Sequence, residues 1–584
     1  MNLPTRIVTR TSAAVAAGLV AIATCGSRSH AQTLLSGPSW SASLPSTSFG
    51  ASIDAAGDVD ADGFEDVIIG APSHFDGAHV VGRAYVFRGI AGGTATQPAW
   101  TLENPTGHFS SLFGGPVVGL GDVNGDGAAD VAVGAPLAQW SGAVFVYHGA
   151  PGGLSTTPDW HKRGPGEDSN FGGVSRAVGD VDGDGFADML VNASKYTLEV
   201  PVHVQSVGYA CVYAGSANGL VSQPIWVVHG THAFESLGAG PAGDVNGDGF
   251  PDLLVGSAGS SSTQAATRVD LYAGGPNGVT STPVWSEIVP FAASGASLGL
   301  SASAAGDVDA DGFDDLLIAA PQYESGEQHG RVELHRGAAG WPSGTPAWVA
   351  YGDASEPHFG RSLARLSDVD GDGYADWAVA NPEPPGVVRV YSGGTLPLAQ
   401  QPIWTKHGGA PLTSFADSLV GGRDFDGDGD PDLLLNVGGS LASPIVQRFD
   451  GGTSCGAPLA AQETVRVGDP PNPSVLLPGA HDGPVIGRVW SPRVDHASFA
   501  PTAVLDLLAI GVASANAPGA LGTVLVDPHA PFVLSSAAAG GTFAVWLPDD
   551  CALVGTTWHA QAGALGVFGA PQLTNALDLV VGTH

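Results

Sequence analysis

Seven times the chain repeats a nine-residue segment whose positions 1, 3, 5 and 9 carry oxygen-bearing side chains. The first copies bring Asp58, Asp60, Asp62 and Asp66 together, then Asp122, Asn124, Asp126 and Asp130, then Asp180, Asp182, Asp184 and Asp188. Next come Asp244, Asn246, Asp248 and Asp252, and Asp307, Asp309, Asp311 and Asp315. Asp368, Asp370, Asp372 and Asp376 form the sixth set, and Asp424, Asp426, Asp428 and Asp432 the seventh. Within one copy the side chains at 1, 3 and 5 can converge with the backbone carbonyl at 7, and the carboxylate at 9 closes the set. Those carbonyls belong to Phe64, Ala128, Phe186, Phe250, Phe313, Tyr374 and Asp430. A glycine at position 6 of every copy permits the sharp turn that convergence requires.

Such a donor set suits a hard cation. Many flexible oxygens favour Ca²⁺ over Mg²⁺, which demands a tight octahedron and keeps its waters. No Cys or His falls in the segments, which disfavours zinc. The expectation is Ca²⁺, up to seven ions, one per repeat, with weaker binding where Asn124 and Asn246 remove a charge. The spacing follows the logic of an EF-hand loop, but no helices flank it. A structural role is therefore expected rather than a sensory one. Positions 1, 3, 5 and 9 of these segments hold 26 of the 56 acidic residues, so bound dications would neutralise much of the net charge of −35.

The segments begin 56 to 64 residues apart, a period suited to a four-stranded propeller blade with its loops. The rest of each unit repeats too. A tryptophan precedes each segment, at Trp40, Trp100, Trp160, Trp226, Trp285, Trp348 and Trp404. An aromatic-glycine pair follows at Phe49-Gly50, Phe113-Gly114, Phe171-Gly172 and Phe359-Gly360, weakening to Leu298-Gly299 and Phe415-Ala416 and displaced at Leu237-Gly238. After the segment an apolar run ends in Gly70-Ala71-Pro72 or Gly134-Ala135-Pro136, and alternating runs such as Ala143 to Tyr147 come next. Period-2 alternation between glycine stops indicates half-buried strands. One such unit cannot bury both faces of a small sheet, so units must stack, and a closed ring leaves no long edge unpaired.

The fold class expected is all-β: a seven-bladed β-propeller over residues 32–453, followed by a C-terminal β-sandwich-like domain over 454–584. The repeated tryptophans are read as core or inter-blade packing rather than ligand platforms, and Trp140 and Trp341, outside the repeated positions, as covers of blade edges. Residues 1–31 read as a secretory signal, with Arg6 and Arg10, an apolar run from Ala13 to Thr24, and Ser29-His30-Ala31 before the cut. No other segment is long and apolar enough to span a bilayer. Cys211 sits in an apolar strand and is expected to be a buried small hydrophobe. Cys455 and Cys551 are either bridged, closing a long loop worth about 4 to 5 kcal/mol on a chain-entropy basis, or two free thiols.

The Phe-Gly pair, the Asp-x-Asp-Gly-Asp-Gly-x-x-Asp loop and the Gly-Ala-Pro together resemble the FG-GAP repeat, the blade unit of the integrin α-subunit propeller. The resemblance covers the seven units and implies Ca²⁺ in the loops and a secreted binding or adhesion scaffold. It departs from the integrin pattern in carrying the acidic loop in all seven units and in lacking an inserted adhesion domain and a long leg region. The implied partner is an extracellular protein or glycan. Net acidity argues against nucleic acid. No His-Glu-x-x-His and no Walker loop occurs, so no enzyme is expected. His229 and His232 read as surface histidines. Two alternatives stay open: a calcium-dependent lectin using exposed aromatics such as Trp140 or Trp341, and a polysaccharide hydrolase or lyase whose carboxylate pair hides among the aspartates.

Overall fold

The second strand of each blade begins at the ninth-position aspartate and is the most apolar element of its sheet. Asp66–Ala71, Asp130–Ala135, Asp188–Ala193 and Asp376–Asn381 are buried at every position. A short unbroken apolar run of this kind is stable as a strand only when both its faces are covered. A computed structural model describes residues 34–451 apart from 36, 45–47, 91, 199–205, 231–235, 259–266, 290–300, 326–327, 353–357, 385, 409–414 and 439–444. Beyond 451 it describes chiefly the backbone of a set of strands.

Seven four-stranded antiparallel sheets form the ring. In blade 1, Ser52–Gly57, Asp66–Ala71, Arg83–Phe87 and Trp100–Glu103 pair in sequence order. Blades 2 to 6 repeat this order, with first strands at Val117–Gly121, Phe171–Gly179, Ser236–Gly243, Ser301–Gly306 and Ser362–Leu366. Blade 7 takes three strands, Phe415–Arg423, Asp432–Val437 and Ile445–Phe449, from the end of the array and its fourth, Trp40–Ala42, from the beginning. Trp40 faces Arg448 in that register, and Ala42 faces Val446. The first strand of each blade packs on those of its neighbours, and the ring closes where Ser52–Gly57 meets Phe415–Arg423. The sequence unit, which starts at a tryptophan, is thus one strand out of phase with the blade.

Apolar clusters fill the seams. One joins Val86 and Leu102 of blade 1 to Val131 and Tyr147 of blade 2, and another joins Phe87 of blade 1 to Leu434 and Val446 of blade 7. The repeated tryptophans open the outer strands and reach across these seams. Edge-to-face contacts pair Trp160 with Tyr213, Trp226 with Tyr272, Trp348 with Tyr391 and Trp404 with Phe449, each on the third strand of the next blade. Trp40 closes the circle against Phe87 at 5.8 Å. Such pairs contribute about 0.5 to 1.5 kcal/mol beyond the area they bury. The tryptophans are inter-blade packing, as their recurrence indicates.

The glycines of the repeat answer a close approach between units. A Cβ on Gly70 would lie 2.0 Å from the carbonyl oxygen of Gly114, and one on Gly134 would lie 2.2 Å from that of Gly172. The glycine after each aromatic takes a left-handed conformation, with φ of 81° at Gly50, 84° at Gly114 and 77° at Gly172. Ala416 holds the same turn at φ 57°, which explains how the weaker Phe415-Ala416 pair still serves.

Among the described residues no helix is long and apolar enough to cross a membrane. Beyond residue 451, Gln462–Arg466, Gln572–Val580, Thr557–Gly566, Ala503–Gly511 and Phe532–Ala538 pair in that order as a five-stranded antiparallel sheet. Three short antiparallel pairs lie there as well, Leu476–Leu477 with Arg493–Val494, Val489–Trp490 with Val545–Trp546 and Ser514–Gly519 with Gly522–Val526, while Cys455, Cys551 and the leader of residues 1–31 lie outside the described residues. Cys211 is fully buried, as expected.

Replacing Trp40 by Ala removes the aromatic anchor of the seam, which is 7 % exposed and donates its indole N–H to the Ala95 carbonyl at 3.3 Å. A loss of about 3 to 5 kcal/mol is expected in urea unfolding. An unchanged midpoint would show that the ring does not depend on its closing strand.

Candidate metal centre

Each acidic segment is the loop from first to second strand, so all seven gather at one end of the ring. The ninth-position aspartate is the first residue of the second strand and is 0 % exposed in every blade. One carboxylate oxygen accepts the N–H of the second loop residue. For Asp66 the donor is Val59 at 3.0 Å, for Asp376 it is Val369 at 2.8 Å, and for Asp432 it is Phe425 at 2.9 Å. The other oxygen accepts an N–H from a glycine just past the third strand: Gly89 at 2.7 Å, Gly149 at 2.9 Å, Gly215 at 2.9 Å and, in the remaining blades, Gly274, Gly337, Gly393 and Gly451. A Cβ on Gly149 would stand 2.2 Å from the Ala129 carbonyl oxygen, so only glycine fits. Sequence reasoning missed this second role of the ninth position. The signal was present, because the glycine recurs after every third strand.

The first-position aspartate caps its own loop. Asp58 accepts the N–H groups of Asp62 at 2.9 Å and Gly63 at 2.8 Å, and Asp180, Asp244, Asp307, Asp368 and Asp424 do the same in their loops. The fifth-position carboxylates accept the N–H of Phe64, Ala128, Phe186, Phe250, Phe313, Tyr374 and Asp430, the residues whose carbonyls were expected as ligands.

Five loops bring three carboxylates together with oxygens within 4.8 Å of one another. Asp58, Asp60 and Asp62 converge, as do Asp307, Asp309 and Asp311. Asp180 and Asp182 converge with Asp188, Asp368 and Asp370 with Asp376, and Asp424 and Asp426 with Asp432. In the other two loops Asn124 and Asn246 donate instead to Asp126 at 3.1 Å and to Asp248 at 3.0 Å. Burial pushes the ninth carboxyl upward, to about 7 for Asp66, Asp188, Asp252 and Asp315 and to about 8 for Asp376. Two amide donors oppose that rise, and neighbouring aspartates add to it. A dication offsets the crowding, and the buried oxygens fit one: Asp60 Oδ1 and Asp309 Oδ1 have no hydrogen-bond donor.

Three loops also meet an arginine. The Arg88 guanidinium contacts Asp60 and lies 3.1 Å from Asp62, and Arg336 pairs in the same way with Asp309 and Asp311. These two loops alone replace the fourth-position glycine by alanine, held at φ 57° in Ala61 and 55° in Ala310. In blade 7, Arg448 reaches Asp426 at 3.3 Å and Asp450 at 2.7 Å. No regularity of the acidic repeat pointed to these partners.

The loops are also joined to one another. Eighth-position N–H groups donate to the first-position carbonyl of the preceding loop, from Ala129 to Asp58 at 2.9 Å, Ala187 to Asp122 at 3.0 Å, Asp314 to Asp244 at 2.9 Å and Ala375 to Asp307 at 3.1 Å. Pro251 and Pro431 occupy this position in blades 4 and 7 and cannot donate.

The chain matches the FG-GAP-like repeat family over residues 122–191, 244–318 and 368–435, and the FG-GAP repeat over 49–87. The ring is an integrin α-like FG-GAP propeller. Among similar proteins, integrin alpha-3 of Cricetulus griseus is 38 % identical over 152 residues, 25 % of this chain and 14 % of that protein. Integrin alpha-PS2 of Drosophila melanogaster is 36 % identical over 160 residues, 25 % of this chain and 11 % of the relative. Integrin alpha-6 of Homo sapiens is 36 % identical over 152 residues, covering 25 % and 12 %. The likeness thus spans a small part of each relative's length.

Of the other residues singled out in the sequence, His229 is exposed and His232 lies outside the described residues. Trp341 packs against the cluster between blades 4 and 5, as expected. Trp140 does not cover a blade edge, for it is 78 % exposed. Gly295-Ala296-Ser297-Leu298-Gly299 has the spacing of a nucleophile elbow but fills the aromatic-glycine place of its unit and lies outside the described residues.

The raised ninth-position carboxyls set a pH dependence for the FG-GAP propeller in a chelator. Their folded values lie above the ordinary 3.8, so the folded ring favours the protonated form. Their cost is full above about pH 8 and is relieved as the pH falls through about 7. Calorimetry in EDTA should show a higher melting temperature at about pH 6 than at about pH 8. The reverse order would mean that the amide donors already stabilise the charge.

Proposed function

We propose that this chain is a secreted, calcium-stabilised propeller that serves as a binding or adhesion scaffold for an extracellular protein or glycan. The observation that carries this reading is the set of converging carboxylates in loops that are themselves hydrogen-bonded from blade to blade. Ca²⁺, when bound, supplies positive charge to the aspartates at positions 1, 3, 5 and 9, with the seventh carbonyl completing the set. By holding a loop shut it also holds the amide contacts to the next loop, so occupancy supports the ring as a whole. The leader-like first 31 residues and the likeness to integrin α propellers support an extracellular setting, where Ca²⁺ is abundant.

The loops differ in need. Asp180 to Asp188 and Asp368 to Asp376 combine four carboxylates with no arginine paired to them among the described residues, and these two bind Ca²⁺ most tightly. Asn124 and Asn246 weaken their loops by one charge. Arg88, Arg336 and Arg448 partly neutralise theirs and repel a second cation. At a free concentration about 100 times the Kd, one site adds about 2.7 kcal/mol to stability. The ends of the blades away from these loops carry the connections from second to third and from fourth to first strands, and they form the contact face.

Two measurements test this reading. EDTA should lower the melting temperature by several degrees and Ca²⁺ should restore it; an identical curve with and without chelator would refute the metal role. Native mass spectrometry of the Arg88→Met variant should show one more tightly retained Ca²⁺ than the parent. Equal retention would mean that the guanidinium does not compete.

A further inference from the structure

At the end of the ring opposite the acidic loops, the connections of blades 1 to 3 surround an open cleft of about 950 Å³. Trp140, Phe109 and Leu137 line it and are 78 %, 56 % and 47 % exposed. Glu167, Asp168, Asn170 and Lys195 supply polar groups around the same space. The repeated tryptophans are spent on blade seams, whereas this one is turned outward by the backbone. Gln139 and Trp140 lie in consecutive left-handed conformations, at φ 48° and 70°, and the Trp140 carbonyl accepts the Asp168 N–H at 2.6 Å. Phe109 is backed by His79, stacked at 3.6 Å and 12°, which fixes its ring.

The strain is concentrated here. Thirteen non-glycine residues among the described ones have positive φ, and six of them line this cleft: Ser110, Gln139, Trp140, Asp168, Asn170 and Ser206. Unfavourable backbone conformations of this kind gather where a ligand-contacting surface has to be held in one shape. The cleft is also of ordinary ligand-pocket size.

We infer that this cleft binds a neutral oligosaccharide, with the Trp140 indole as the stacking platform. The inference rests on the binding-scaffold reading and names its ligand class. An exposed indole offers a flat apolar face to the C–H side of a sugar ring, while a carboxylate, an amide and an ammonium group around it match vicinal hydroxyls as acceptors and donors. A lipid or an apolar helix would need a continuous apolar wall, which the four polar side chains interrupt. An acidic glycan is disfavoured by Glu167 and Asp168 and by the net charge of −35. Because the cleft and the acidic loops lie at opposite ends of the blades, the sugar is held by side chains and not by the metal.

The test uses the full chain with Ca²⁺ present and titrates neutral tetramers of glucose, N-acetylglucosamine and mannose by calorimetry, alongside a lysine-rich peptide. At least one tetramer should bind, and Trp140→Ala should weaken it by about tenfold or more at an unchanged melting temperature. Asn170→Ala should weaken it too, and Trp140→Phe should retain most of the affinity. No binding by any tetramer, equal binding by Trp140→Ala, or Trp140-dependent binding of the peptide alone would overturn the inference. The effect of EDTA on melting is read separately, so loss of the sugar site and loss of the calcium role give different results.

Discussion

A buried carboxylate that accepts one N–H from its own loop and another from the exit of the third strand is the constraint on which each blade depends. Asp66 and its six counterparts are fully buried, yet each is flanked by further aspartates at positions 1 and 5, and in five of the seven loops at position 3 as well. Without amide donors the charge would be untenable in that place, and without a cation the remaining carboxylates still repel one another. The glycine that supplies the second donor is therefore as necessary to the blade as the aspartate. Together they pin three separate stretches of chain at one point.

The two ends of the ring do different work. At the acidic end the connections are short and nearly identical, and amide bonds pass from one blade's loops to the next, four of them directly between acidic segments. Between the ends, apolar clusters and edge-to-face aromatic pairs fix the angle of blade on blade. At the far end the connections vary in length and sequence, and they hold the left-handed Gln139, Trp140, Asp168 and Asn170. A stiff, repetitive base thus frees the opposite end for variable chemistry.

Much of this was legible in the residues. The acidic spacing, the tryptophans and the glycine stops identified the blade because each recurs seven times, and repetition separates a packing requirement from chance. The arginines were not legible: Arg88, Arg336 and Arg448 occur in only three units, and their contacts arise only when the third strand lies beside the loop. Trp140 was misread for a related reason. Sequence alone gives its apolar character, but its exposure follows from the left-handed turn at Gln139, a residue with no preference that would announce it. The phase of the blade was hidden as well, since a repeat has no intrinsic first strand.

The strand Trp40–Ala42 completes a sheet whose other members lie about 400 residues further along, as the 409-residue separation of Ser39 from its partner Arg448 shows. Contacts so distant in sequence form late, because most of the chain must be present and ordered before they can be made. During synthesis the early blades therefore stand as an open arc with one raw flank. The last third strand, Ile445–Phe449, acts as the clasp, and the assembled ring hides its own starting point.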